Sequence, residues 1–184
     1  MSAPPTDSST LAAPVADFAV GRRQHIRWAV FRALIGIFPP FTLNRMRLAA
    51  LKACGIRIGR ATLFWGLPAL SGRGPISSRL SVGSFCGFND GCEFDLGAAI
   101  TIGDHVSVGH EVRFLTSRGM NNTEVVPAPI VVGDGVWLGA RCTVLGGVTV
   151  GAGSVIGAGV NVVADVPPNT LMAGGKPVSL AKWR

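Results

Sequence analysis

The chain has no tyrosine among its 184 residues, no Cys-x-x-Cys pair among its four cysteines, and no acidic residue between Phe18 and Asn89. Each gap excludes something. Cys54, Cys86, Cys92 and Cys142 follow no secretory signal and show no paired spacing, so neither a zinc ribbon nor a disulfide framework is expected, and small residues packed in a reducing cytosol are. The apolar stretch from Ile26 to Phe38 is cut by Arg27 and Arg32 and falls far short of the roughly 20 residues needed to span a bilayer. The acid-free stretch leaves eleven arginines and lysines unopposed and carries much of the net charge of +7, which favours an anionic neighbour. Lipid head groups and the phosphates of a nucleotide cofactor both qualify. Nucleic acid is not expected as a partner, because the basic residues lie partly on an apolar arm and lack an aromatic stacking platform.

What the sequence does hold is 25 glycines in a chain that is 48% hydrophobic, an unusual pairing that calls for a regular use of glycine. Residues 1–21, rich in Ser, Thr, Pro and Ala, read as a disordered tail. Residues 22–56 read as a basic helical arm: Trp28, Phe31, Ile35 and Phe38 recur at helical spacing, Pro39-Pro40 breaks the run, and a second helix follows from Phe41 to Cys54. Such an arm can lie on an anionic membrane surface, or pack against its own domain or a partner subunit. Both placements remain open.

From Gly55 the period changes to six. Apolar residues stand at Ile58, Phe64, Leu70, Ile76, Val82, Phe88 and Phe94, then, after a slip of two, at Ile102, Val108, Phe114, Met120, Val126, Val132, Leu138, Val144, Val150, Ile156 and Val162. Six residues turn an α-helix by about 600°, so no helix face carries this pattern. Glycine follows the periodic residue at Gly103, Gly109, Gly133, Gly139, Gly151 and Gly157, and stretches such as Ile100-Thr-Ile and Val148-Thr-Val alternate as strands do. The repeating unit is a short strand and a tight corner. Three units close one triangular coil, which predicts a parallel β-helix over 57–166 with a C-terminal tail at 167–184. About six coils at roughly 4.8 Å would make a prism on the order of 29 Å long. The slip marks a bulged corner. Gly151-Ala-Gly153-Ser-Val-Ile-Gly157 misses the dinucleotide fingerprint by one residue.

With Pro129-Ile-Val-Val-Gly-Asp-Gly-Val-Trp-Leu-Gly-Ala140, Val144-Leu-Gly-Gly-Val-Thr-Val-Gly151 and Pro167-Pro-Asn-Thr-Leu-Met-Ala-Gly174, the chain resembles the hexapeptide-repeat acyltransferases, in particular the branch that acetylates sugars such as maltose or colanic acid. The resemblance implies a left-handed β-helix in a homotrimer, acetyl-CoA in a groove between neighbouring prisms, and a saccharide or lipid-linked saccharide hydroxyl as acceptor. It implies Asn89 as the acceptor-positioning amide, with Trp137, Gly139, Ala140 and Lys176 near coenzyme A. Trp137 fits a subunit contact as well, and Lys176 a solvated tail charge.

One departure stands against these matches. The family's catalytic histidine follows a Thr-Ser-x segment, and Leu115-Thr-Ser-Arg-Gly119 carries glycine there. Phe114 and Val132 lie 18 residues apart, which reads as one uninterrupted coil with the usual catalytic loop abbreviated. An acceptor hydroxyl needs a base, worth roughly 10² to 10⁴ in rate, and the only histidines are His25, His105 and His110. The two-residue slip places Asp90 one coil beneath His110 and Asn89 beneath Gly109, so His110 with Asp90 is the candidate pair. The expectation is a cytoplasmic acyl-CoA-dependent O-acyltransferase without a metal, with peripheral contact at the inner face of the membrane as one placement of the basic arm. Two alternatives stay open: a scaffold that has lost the base, and a γ-carbonic-anhydrase-like zinc protein using His105, His110 and His25.

Overall fold

The computed structural model describes residues 26–34, 44–72, 75–117, 126–174 and 176–179. The expected N-terminal tail, His25 and Gly119 lie outside these residues. Helix α1 includes residues 26–34, α2 spans Asn44–Ala53 and α3 is the single turn Ile76–Arg79. The strands, each two to four residues long, are β1 (Arg57–Ile58), β2 (Leu63–Phe64), β3 (Ala69–Ser71), β4 (Leu80–Val82), β5 (Gly87–Phe88), β6 (Glu93–Asp95), β7 (Ile100–Ile102), β8 (Ser107–Val108), β9 (Arg113–Leu115), β10 (Ile130–Val132), β11 (Trp137–Leu138), β12 (Thr143–Leu145), β13 (Thr149–Val150), β14 (Val155–Ile156), β15 (Asn161–Val162), β16 (Thr170–Ala173) and β17 (Lys176–Ser179).

Every third strand pairs in parallel, giving three sheets: β1-β4-β7-β10-β13, β2-β5-β8-β11-β14-β16 and β3-β6-β9-β12-β15. This is the expected left-handed β-helix, with five full coils. Val166 bridges Val150 and β16 pairs with β14, which begins a sixth. The strands are short because a corner follows every second or third residue. Within each strand the periodic residue points inward, so Phe88, Val108, Leu138 and Ile156 stack as one buried column. In-register coils put like rings face to face: Phe64 stacks on Phe88 with centroids 4.4 Å apart and Phe94 on Phe114 at 4.8 Å. All four cysteines are buried and free, three of them at the inward position two residues before a periodic one.

The register corrects one expectation. Ile102 pairs with Val132 and Phe114 with Val144, partners 30 positions apart, whereas Val132 and Val150 are 18 apart. The connection between β9 and β10, an excursion from the 18-residue register, is therefore longer than one uninterrupted coil. The excursion adds twelve residues, two whole periods, so the six-residue phase passes through it unchanged. Val126, counted as a core position, is 72% exposed, and Met120 lies outside the described residues. The excursion is anchored at its neck, where Ala128 N–H donates to the Thr116 carbonyl and Ser117 bridges Pro127. Between coils one and two the partners stand 24 apart, and the six extra residues include α3, so Ile76 is buried from a helical turn, not a strand. The two-residue slip is the expected bulged corner, since Val82 pairs with Ile102.

Both ends of the prism present strand edges that need partners. At the lower end α2 supplies them: the Asn44 side-chain oxygen accepts from the Phe64 N–H at 2.8 Å, and the buried Arg47 donates through Nη1 to the Trp65 carbonyl at 3.0 Å. Two side chains thus replace a missing coil. At the upper end β17 turns back and pairs antiparallel with β16.

Candidate functional site

The parallel register turns sequence positions into columns. On the second sheet Gly87, Ser107 and Trp137 lie in one outward column and Trp65, Asn89, Gly109 and Gly139 in the next. Together Trp65, Gly87, Asn89, Ser107, Val108, Gly109 and Trp137 line a hollow of about 310 Å³. Its floor is small residues and its walls are two indoles. Trp65 lies over Gly87, where an added Cβ would stand 3.4 Å from the ring. Trp137 is 58% exposed. Asn89 is held at both ends of its residue: its backbone N–H and its Nδ2 both donate to the Val108 carbonyl, at 3.0 and 3.1 Å. Its side-chain oxygen has no hydrogen-bond partner among the described residues, so it can accept a bond from an incoming hydroxyl.

Around the next corner, Asp90, Gly91, His110, Glu111, Ala140, Arg141, Ala158 and Gly159 line a second hollow of about 610 Å³. The register puts Asp90 one coil below His110, as the slip implies. No hydrogen bond or ion pair joins the two among the described residues. The physical reason is below them: the Asp90 carboxylate lies against Gly66, where any Cβ would collide with its Oδ1. His110 is exposed. The structure therefore gathers Asn89 with Trp137 in one hollow and Asp90 with His110 and Ala140 in the other, and the two share one edge of the prism. Gly139 stands between them, directly above Gly109. Lys176 pairs with Ala173 in the antiparallel ladder at the upper end, two coils above Trp137.

The neck of the 116–129 excursion is held by Asp95. Its carboxylate accepts from Ser117 N–H at 2.8 Å, from the Thr116 hydroxyl at 3.1 Å and from Gly97 N–H at 3.2 Å. Burial pushes this carboxyl up, but the hydrogen bonds from Ser117, Thr116 and Gly97 prevail and hold it below the ordinary carboxylate range. Burial pushes the thiols of Cys92 and Cys142 up to about 12, which leaves them neutral and poorly nucleophilic. Among the described residues no group of three or more His, Cys, Asp or Glu is gathered as a metal would require. His105 stacks on Phe85 with centroids 4.9 Å apart.

Trp65 is the site residue that sequence reasoning missed. It occupies the position after a periodic residue, where Gly109 and Gly139 stand in later coils. A tryptophan in a corner-glycine position was the available signal.

A triangular solenoid with a six-residue period and a polar, aromatic-walled groove defines the class: a left-handed β-helix of hexapeptide repeats. Residues 129–164 match the family described as bacterial transferase hexapeptide (six repeats), so this stretch of the chain carries those repeats. It is similar to the galactoside O-acetyltransferase of Escherichia coli, 43% identical over 65 residues, covering 35% of this chain and 29% of that one. The chain spans about a quarter of the length of the curated relatives it matches. Across most of its length it is similar to the solved hexapeptide-repeat acetyltransferase VCA0836 of Vibrio cholerae, at 26% identity with a TM-score of 0.72, covering 90% of this chain and 92% of that one. That protein has also been solved complexed with acetyl coenzyme A. A maltose O-acetyltransferase from Clostridium difficile shares the fold at 20% identity and a TM-score of 0.70, covering 90% of this chain and 88% of that one.

Proposed function

We propose that the chain is a coenzyme A-dependent O-acyltransferase that moves an acetyl group from acetyl-CoA to a hydroxyl of a saccharide or lipid-linked saccharide. The hollow between Trp65 and Trp137, with Asn89 on its wall, carries this reading. Indole faces suit the apolar face of a sugar ring, and an amide oxygen held in place by its own Nδ2 bond suits a hydroxyl. The likeness over nine tenths of the chain to an acetyltransferase solved with acetyl coenzyme A supports the donor. A homotrimer, with coenzyme A in a groove near Trp137, Gly139, Ala140 and Lys176, follows from the family resemblance. The buried free cysteines suit the reducing cytoplasm.

In the proposed reaction Asn89 orients the acceptor hydroxyl and a base removes its proton as the oxygen attacks the thioester carbonyl. The tetrahedral intermediate collapses, the C–S bond breaks, and the coenzyme A thiolate takes up the proton from the conjugate acid. His110 is our candidate base, because it stands at the prism edge beside the Asn89 column. Asp90, one coil away, would stabilise its imidazolium through space without a direct bond.

The test is acceptor-dependent thiol release from acetyl-CoA, together with calorimetric binding of coenzyme A. We expect saturable binding, and a fall in kcat of about 10² to 10⁴ in His110→Ala with binding retained. Unchanged transfer in that variant removes His110 as the base. Trp65→Ala should raise the acceptor KM about tenfold, the equivalent of 1.4 kcal/mol, and leave coenzyme A affinity alone.

A second reading, a scaffold that kept the prism and lost the chemistry, is favoured by one observation. The 116–129 excursion stands where a catalytic loop would, and no histidine occurs between residues 111 and 184. Such a scaffold would bind no coenzyme A and release no thiol with any acceptor.

A further inference from the structure

Helix α1 is two-sided. Trp28, buried, and Phe31, half-buried, pack it against the core of the prism's lower end. On the other side Ile26, Val30 and Leu34 are 54%, 53% and 62% exposed. Ala29 and Ala33 are exposed between them. At about 100° per residue these five positions form one stripe covering roughly 140° of the helix, with Arg27 about 20° beyond one edge and Arg32 about 60° beyond the other. Both arginines are exposed. An apolar stripe bordered by long cationic side chains on either side is the arrangement that lets a helix lie in an interface while its cations reach polar head groups.

Charge decides what covers the stripe. Arg45, Lys52, Arg57 and Arg60 are also exposed on this end of the molecule, and no acidic residue occurs among the described residues before Asp90. A second copy joined through this end would bring the same unopposed cations against themselves. Nucleic acid would supply phosphates but no apolar phase for Ile26, Val30 and Leu34. An anionic bilayer supplies both. We infer that α1 docks the chain onto the surface of an anionic membrane, with its apolar stripe at the boundary of head groups and acyl chains and Arg27 and Arg32 on the phosphates. A single amphipathic helix gives a reversible contact that salt weakens, because part of the attraction is screened within a Debye length. This surface is separate from both hollows and stands whether or not the acyl-transfer reading holds.

The experiment is sedimentation of the full-length chain with large unilamellar vesicles of phosphatidylcholine, alone or with about 30% phosphatidylglycerol. Binding to the anionic vesicles should exceed binding to the neutral ones at least tenfold and should fall as salt rises. Val30→Asn with Leu34→Asn should lower the partition coefficient about tenfold or more, and Arg27→Gln with Arg32→Gln should do so without touching the stripe. The arginine pair decides the matter if circular dichroism shows that the apolar pair disturbs the fold. Equal binding to both vesicle types, or unchanged binding by the arginine pair, overturns the inference. So does a wild-type chain that ignores vesicles while the apolar pair dissociates an oligomer in sedimentation velocity, since the stripe would then be a subunit contact.

Discussion

The two ends of the prism follow one repeat but differ in charge, core and register. Among the described residues, those of 26–89 carry eight arginines and lysines and no acid, while those of 90–174 carry seven acids against Arg113 and Arg141. The lower coils stack phenylalanine rings, whereas the columns continue upward as Val108, Leu138 and Ile156 or as Val144 and Val162. The lower coils advance by 24, 20 and 30 residues, and only the fourth-to-fifth step is the bare 18. The segment that matches the family, 129–164, is this regular upper part. The difference shows how the molecule divides its labour. The upper coils are repeat with little added, and the lower coils hold Trp65, Asn89, the neck of the excursion and the basic arm.

The largest effect that tests this contrast lies in the core. Phe88→Ala removes a fully buried ring that stacks on Phe64 and tilts against Phe94, and should cost about 3–5 kcal/mol. Val132→Ala in the aliphatic coils should cost about 2 kcal/mol. Urea denaturation measures both. Equal losses would mean that the aromatic stack contributes no more than the aliphatic columns, and the comparison of cores would fail.

Arg47→Ala comes next, with an expected cost on the order of 2–3 kcal/mol, because it removes the Arg47 hydrogen bond to the Trp65 carbonyl at the edge of the first coil. Amide exchange should localise the damage to Phe64 and Trp65, with β12 to β15 unaffected. Uniform loss of protection along the prism would show that the ends are not independent of the coils between them.

The β-helix was legible because an inward side chain every sixth residue has no other explanation. The excursion at 116–129 was not, and for a definite reason: phase is read only modulo six. A two-residue insertion shifts every later position and is seen at once, as between Phe94 and Ile102. Insertions of six and twelve shift nothing, so Ile76 and Val126 kept their place in the pattern while leaving the strands. The same ambiguity hid part of the site. The alignment of Asn89 with Gly109 follows from the visible slip, but bringing Trp137 above Ser107 depends on the hidden twelve residues. Asp90 and His110 were correctly stacked by register. Their lack of a bond was beyond the sequence, because it depends on the carboxylate settling into the space that Gly66 leaves.

A smaller effect probes the neck of the excursion through pH. The Asp95 carboxyl is held below its ordinary range in the folded chain, so the unfolded chain binds the proton more readily. The stabilisation is therefore fully present above the unfolded value of about 3.9 and is lost as pH falls through the lower folded value. The stability gap between wild type and Asp95→Asn, measured by urea midpoint, should be widest above about pH 5 and close toward acid. A gap that does not change with pH would mean that the neck is held by Thr116 and the backbone, with Asp95 incidental.

The smallest effect concerns the first corner of each coil, where the chain takes a left-handed conformation in lower and upper coils alike. The first three coils put Ala61 (φ 55°), Phe85 (φ 58°) and His105 (φ 57°) there, the fourth and fifth Gly135 (φ 65°) and Gly153 (φ 68°), and the start of the sixth Asn169 (φ 52°). A side chain at such a φ costs about 1 kcal/mol that glycine avoids. Ala61→Gly should therefore stabilise the chain by up to about 1 kcal/mol, less whatever glycine adds to the entropy of the unfolded state. Gly135→Ala should destabilise it by a similar amount, and cleanly, because nothing stands nearer than 4.0 Å to the added Cβ. If Ala61→Gly is instead destabilising, the unfolded-state entropy outweighs the local strain. The lower coils would then owe their non-glycine corners to stability, and not to the Arg60, Phe85 and His105 stack that those corners display.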